Sequence, residues 1–184
     1  MTTEREMLDR LNVRYGKTSK NGSSTMVRYT RAEHVRNQLG FEANRTADYI
    51  AVDLWGTSYG PIENRGPFLN GHEVKCSRGD WLRELKHPDK ADTFSRFMHY
   101  WWLVVSDKNI VGPDELPEGW GLMIKYGESL RVAVQAPRLR PEVMSLDMHG
   151  ALLRATAYTA ARIAGRDRVG PADHRRSPGT SPDR

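Results

Sequence analysis

Gly71-His72-Glu73-Val74-Lys75-Cys76-Ser77-Arg78-Gly79-Asp80-Trp81 is the stretch whose reading decides the fold. In an extended strand alternate side chains share a face, so Glu73 and Lys75 point one way while Val74 and Cys76 enter the other layer. Ser77 followed by Asp80, just before Trp81, Leu82 and Leu85, has the pattern of a helix N-cap. The segment therefore predicts a strand running straight into a helix, with the helix's positive end beside a carboxylate and an ammonium. Those groups meet the needs of metal-dependent phosphodiester hydrolysis. The carboxylate holds Mg²⁺, and the lysine stabilises charge on the phosphate or orients the attacking water. Glu-x-Lys alone is equally an exposed ion pair, so the reading depends on what surrounds it.

Upstream, Ala47-Asp48-Tyr49-Ile50-Ala51-Val52-Asp53-Leu54-Trp55 has the β-branched and aromatic content of a second strand. The intervening residues are rich in Gly, Pro, Ser and Asn, so the two strands are expected to be neighbours in one mixed sheet. Two acids compete. Asp48 shares a face with Ile50, Val52 and Leu54, whereas Asp53 shares one with Tyr49, Ala51 and Trp55, and periodicity does not choose between them. Before this strand, Ala32, Val35 and Leu39 have the spacing of a short amphipathic helix over 31–39, stopped by Gly40 and carrying Glu33. After Trp81, Pro88 ends one helix and starts another, which is expected to run to about Tyr100 with Ala91, Phe94 and Met98 buried. Trp101–Val105 reads as a buried strand. Gly121–Tyr126 with Leu130–Gln135 reads as a hairpin around Gly127-Glu128, and 144–164 as a closing helix with Gly150 as an interruption.

Several blocks in order resemble the PD-(D/E)xK nuclease superfamily, and within it the MmcB-like DNA-repair proteins with their actinobacterial and phage relatives. They are Arg45-Thr46-Ala47-Asp48, Glu73 through Leu82, Glu84-Leu85-Lys86 with Pro88 and Lys90, Trp101 through Val105, and Glu115 through Leu122. The similarity spans residues 30–137, with Ala47-Asp48 standing where the superfamily has Pro-Asp. It implies an α/β fold with a restriction-endonuclease-like core, a mixed central β-sheet flanked by α-helices. It also implies a Mg²⁺-dependent DNA nuclease, with Mn²⁺ able to substitute, acting in DNA repair, recombination or phage DNA metabolism. The family pattern sets its acid directly before the apolar run, which favours Asp48 over Asp53. On that reading Asp48 and Glu73 hold the metal, Lys75 acts on water or phosphate, and Glu33 completes the catalytic set. Ser77 and Arg78 at the helix start, with Lys86 and Lys90 around Pro88, are the candidate DNA contacts. The alternative is a catalytically silent nucleic-acid-binding or scaffold protein that keeps the nuclease fold.

The 184 residues suit one domain over 1–165. Residues 166–184 carry five arginines against three aspartates, with Pro171, Pro178 and Pro182 and almost nothing apolar, and are expected to form a disordered basic tail. The balance of 28 basic and 23 acidic residues, a net +5, is compatible with DNA without being diagnostic. The lone cysteine, Cys76, excludes an intrachain disulfide and any Cys-x-x-Cys metal site, and is expected to be a small core residue. No two histidines lie i, i+4 apart as in metalloproteases, and His72 is expected to be only a polar neighbour of the site. The charged opening and the short longest apolar run, Tyr100–Val105, give the expectation of a cytoplasmic protein without a membrane span. Its expected partner is DNA. Monomer and homodimer both remain open.

Overall fold

Thr3 starts the first helix, α1 (Glu4–Arg14), with a reciprocal capping box in which its hydroxyl accepts the Glu6 N–H while the Glu6 carboxylate accepts the Thr3 N–H at 2.7 Å. The charged opening of the chain is thus an amphipathic helix that buries Met7, Leu8, Leu11 and Asn12. The computed structural model describes residues 2–16, 18–21, 24–39, 45–55, 65–86 and 89–168. After α1 a small hairpin pairs β1 (Thr18–Asn21) with β2 (Ser24–Val27).

The central sheet follows chain order. It comprises β3 (Tyr29–Arg36), β4 (Thr46–Asp53), β5 (Phe68–Lys75), β6 (Tyr100–Val105), β7 (Trp120–Tyr126) and β8 (Ser129–Val134). β3, β4 and β5 are antiparallel, β5, β6 and β7 are parallel, and β8 returns antiparallel to β7. The parallel step from β5 to β6 passes through α2 (Arg78–Leu85) and α3 (Asp89–Ser95), and α4 (Leu146–Arg168) closes the fold. The protein is therefore α/β, with a mixed sheet flanked by helices as expected, and β4 and β5 are adjacent strands of it.

Strand alternation builds the two layers. On one face Tyr49, Ala51, Val74, Trp102 and Val104 pack with Met7, Leu8 and Leu11 of α1. On the other, Ile50, Met98 and Trp101 pack with Ala91 and Phe94 of α3 and with Met148 and Ala155 of α4. Trp101 fits because its register partner on β5 is Gly71, where an added Cβ would lie 2.3 Å from the indole ring.

Four expectations are corrected. Residues 31–39 do not form a helix, because Tyr29–Arg36 is an edge strand paired with β4. The misleading signal has a physical origin. His34 adopts a left-handed φ of 50°, and this irregularity lets Ala32 and Val35, three apart, enter the same core from a strand. The helix after Pro88 ends at Ser95, not near Tyr100, although Ala91, Phe94 and Met98 are buried as expected. Gly150 does not interrupt the closing helix. It seats Leu39, whose Cδ1 would lie 2.9 Å from a Cβ at that position. That helix also runs to Arg168, past the expected domain edge at 165, while residues 169–184 of the expected tail lie outside the described residues. Among the described residues no helix is long and apolar enough to cross a membrane.

Candidate metal centre

The β4–β5 ladder runs from Asp53 opposite Phe68 to Tyr49 opposite His72. One residue beyond it, a side chain takes over from the backbone: Asp48 Oδ2 accepts the Val74 N–H at 2.7 Å. The Asp48 carboxylate is thereby pinned beside β5, where Glu73 and Lys75 share a face. Lys75 Nζ contacts Glu73 Oε1 and lies 3.2 Å from Glu84 Oε2. Glu84 arrives from α2, which is capped by Ser77, whose Oγ accepts the Asp80 N–H at 3.1 Å, and is anchored by the fully buried Trp81. One turn beyond Trp81, Glu84 faces back to the strand.

The cluster is rich in carboxylates. Asp48, Glu73 and Glu84 share one lysine, and the Glu4 carboxylate lies near Asp48. Burial pushes the Asp48 carboxyl up, and the Val74 N–H and Lys75 only partly offset it. Glu73 is pushed up by burial and then by Asp48, against the pull of Lys75. Burial alone would lower Lys75, but Glu73, Glu84 and Asp48 outweigh it and hold the ammonium firmly protonated. The contact between Lys75 and Glu73 is that of an ion pair, so the strain of excess negative charge falls mainly on Asp48 and Glu73 as a pair. Hard carboxylate oxygens with unbalanced charge fit a Mg²⁺ or Mn²⁺ ion, which Asp48 and Glu73 would hold.

Two cavities flank the cluster. One, of about 530 Å³, is walled by Asp48, Lys75, Cys76, Asp80 and Glu84. The other, of about 210 Å³, lies between Arg45, Glu73, Glu84 and Trp101, whose indole Nε1 is buried with no hydrogen-bond acceptor among the described residues. On the outer side Glu4, His34 and Asp48 each place a ligand atom within 4.8 Å of the others. His34 stands across from Asp48, between the pairs Glu33–Tyr49 and Val35–Ala47.

The structure brings Asp48, Glu73 and Lys75 together and separates the remaining candidates. Glu33 does not complete the set. It is buried on the α1 side and bonded by Arg5 at 2.6 and 2.7 Å, by Asn12 and by Arg162, so that although burial pushes its carboxyl up, these groups hold it below the usual range. Asp53 lies at the opposite end of the ladder, bonded by Arg28 Nη2 at 2.7 Å. Arg78 turns away from the cluster to pair with Glu115 and to donate to the Ile110 carbonyl at 2.8 Å, and the Arg78 bond draws the Glu115 carboxyl down to about 2. Ser77 serves as the cap, Lys86 is exposed at the end of α2, and the Lys90 side chain lies outside the described residues. Cys76 is half-buried against the α1-side core. His72 is fully buried on that same side, accepting from the Tyr15 hydroxyl at 2.9 Å and donating through Nδ1 to the Tyr49 carbonyl.

Sequence reasoning missed Glu84, His34 and Glu4. Glu84 was legible in part: it follows the capped Trp81 by three residues, on the helix side that turns toward the strand. His34 was hidden by the apparent helix, and Glu4 meets Asp48 only through the docking of α1.

No family model matches this sequence, and no curated protein matches it either. Among solved structures it is similar to a protein described as SPO1766, of unknown function, from Silicibacter pomeroyi. The two share 20% identity with a TM-score of 0.46, over 80% of this chain and 86% of that one, a likeness too distant to carry an argument.

Proposed function

We propose that this protein is a Mg²⁺-dependent deoxyribonuclease of the PD-(D/E)xK type, with a restriction-endonuclease-like core. The observation that supports it most is the meeting of Asp48, one residue beyond the β4–β5 ladder, with Glu73 and Lys75 on β5, where three carboxylates share one lysine. Asp48 and Glu73 hold the ion through carboxylate oxygens, so Mn²⁺ serves in place of Mg²⁺. The bound ion supplies a polarised phosphoryl oxygen and an acidified water. Lys75, kept protonated by its carboxylate neighbours, stabilises the charge that develops on the phosphate or orients the water. Glu84 positions Lys75 from the far side at 3.2 Å. The same reading gives DNA as partner, the cytoplasm as location, and repair, recombination or phage DNA metabolism as setting.

One observation favours a second reading. Lys75 is already engaged by two carboxylates and Arg78 by Glu115, an arrangement that also suits a nucleic-acid-binding or scaffold protein with the nuclease fold and no turnover. A nicking assay with added Mg²⁺ or Mn²⁺ separates the two. Cleavage by the wild type, lost in Lys75→Ala, upholds the nuclease. Absence of cleavage on single-stranded, duplex, nicked and branched DNA, or wild-type rates from Lys75→Ala, leaves the silent alternative.

A further inference from the structure

A cavity of about 470 Å³ lies between the edge strand β3 and α4, walled by Glu33, His34 and Arg36 from the strand and by Arg154, Tyr158 and Arg162 from the helix. Arg154, Tyr158 and Arg162 recur at i, i+4, so one helix face presents all three to the strand. The helix is fixed there by Thr159, whose hydroxyl accepts the Glu33 N–H at 2.9 Å. Arg36 and Arg154 are exposed and have no carboxylate partner among the described residues. Arg162 bonds Glu33 through Nη2, while its buried Nε and Nη1 have no hydrogen-bond acceptor among the described residues, although Asp9 lies 3.6 Å from Nη1. The Glu33 carboxylate on the cavity wall is taken up by Arg5, Asn12 and Arg162, and Asp9 by Arg5 and Arg166, so neither carboxylate is paired with Arg36 or Arg154.

A cavity with unpaired guanidiniums calls for an anion, and planar N–H forks favour phosphate oxygens. Its position says which phosphate. His34, on the cavity wall, stands across from Asp48, so the cavity adjoins the candidate metal centre. We infer that the cavity between β3 and α4 binds a phosphate of the DNA strand whose scissile bond lies at Asp48 and Glu73, with Arg36 and Arg154 as its contacts. The inference rests on the nuclease reading for the course of the strand.

The test is fluorescence anisotropy of a labelled oligonucleotide with the full chain in EDTA, where no metal-dependent cleavage occurs, over a series of salt concentrations. Arg36→Ala and Arg154→Ala should each weaken binding about fivefold or more and lower the slope of log K against log salt by about 0.7–0.9. Both side chains are exposed, so the variants should melt as the wild type does. Arg131→Ala, at an exposed arginine on β8 at the far edge of the sheet, should bind as the wild type. Equal losses on 5′-hydroxyl and 5′-phosphorylated strands place the contact at an internal phosphate, and loss confined to the phosphorylated strand places it at the strand end; both uphold the inference. Unchanged binding by the double variant, an equal loss in Arg131→Ala, or no DNA binding by the wild type overturns it. Cleavage with arginine-independent binding sinks this inference alone, while arginine-dependent binding without cleavage sinks the nuclease reading and the placing of a scissile bond, and upholds the phosphate site between β3 and α4.

Discussion

Asp48 answers two demands at once: its carboxylate stands in for a strand partner of the Val74 N–H, and its burial makes its own charge costly. A carboxyl raised in the folded state contributes stability that is present below its unfolded pKa and lost as pH rises through the folded value. Asp48→Asn and Glu73→Gln should therefore remove a penalty at neutral pH, stabilising the metal-free protein by roughly 1–2 kcal/mol at pH 7 relative to pH 4, as urea melts would show. Both should abolish Mg²⁺-dependent cleavage and weaken Mg²⁺ binding measured by calorimetry. Lys75→Ala should lose cleavage yet retain metal binding, because an ammonium is no ligand; loss of both would reassign it to holding the site together. His72 has the opposite slope. Burial drives its imidazole down to about 3, so the stability carried by the neutral ring is intact above about 6.5 and drains away as pH falls toward 3. His72→Gln keeps an acceptor for Tyr15 and a donor for the Tyr49 carbonyl without titrating. It should blunt the loss of stability between pH 6.5 and 4 by an amount on the order of a few kcal/mol, and an unchanged pH profile would refute the buried neutral histidine.

At the scale of elements, β5 and α2 were legible because alternation, the Ser77 cap and the buried Trp81 agree with one another. β3 was not legible, since a single left-handed residue at His34 gave a strand the spacing of a helix. Glycine at 71 lets β5 and β6 approach with Trp101 lying across the gap. Gly71→Ala should force a Cβ into the indole ring and cost about 1–3 kcal/mol, read as a drop of several degrees in Tm. If the variant melts with the wild type, the close packing of Trp101 on β5 is wrong. α1, absent from the sequence-based expectations, brings Arg5 and Asn12 to Glu33 and Glu4 to Asp48, so one helix both consumes a candidate acid and supplies another.

For the molecule as a whole, α4 ties the C-terminal part of the chain to its start: Arg166 pairs with Asp9 of α1 at 2.7 Å, and Arg162 reaches Glu33. A chain ending at Arg168 should melt like the full chain, because residues 169–184 lack the apolar side chains that offset ordering entropy. Ending the chain at Ala164 should lower Tm by about 2 °C through loss of the Arg166 pair and the last helical turn, and a large drop at the Arg168 cut would show that the tail docks. By itself the sequence determined the alternating core strands, the α/β class and the pairing of Glu73 with Lys75, because side-chain alternation and a cap are local consequences of backbone geometry. Only the tertiary structure decided that Asp48 and not Asp53 joins Glu73, that Glu33 is spent on Arg5 and Arg162, and that Glu84, His34 and Glu4 gather around Asp48 and Lys75. Those choices depend on where a strand ladder ends and which helix docks on which face. Contacts between residues far apart in the chain set both, so the local signals, Asp48 directly before the apolar run and Glu84 one turn past Trp81, name candidates among which only those contacts select.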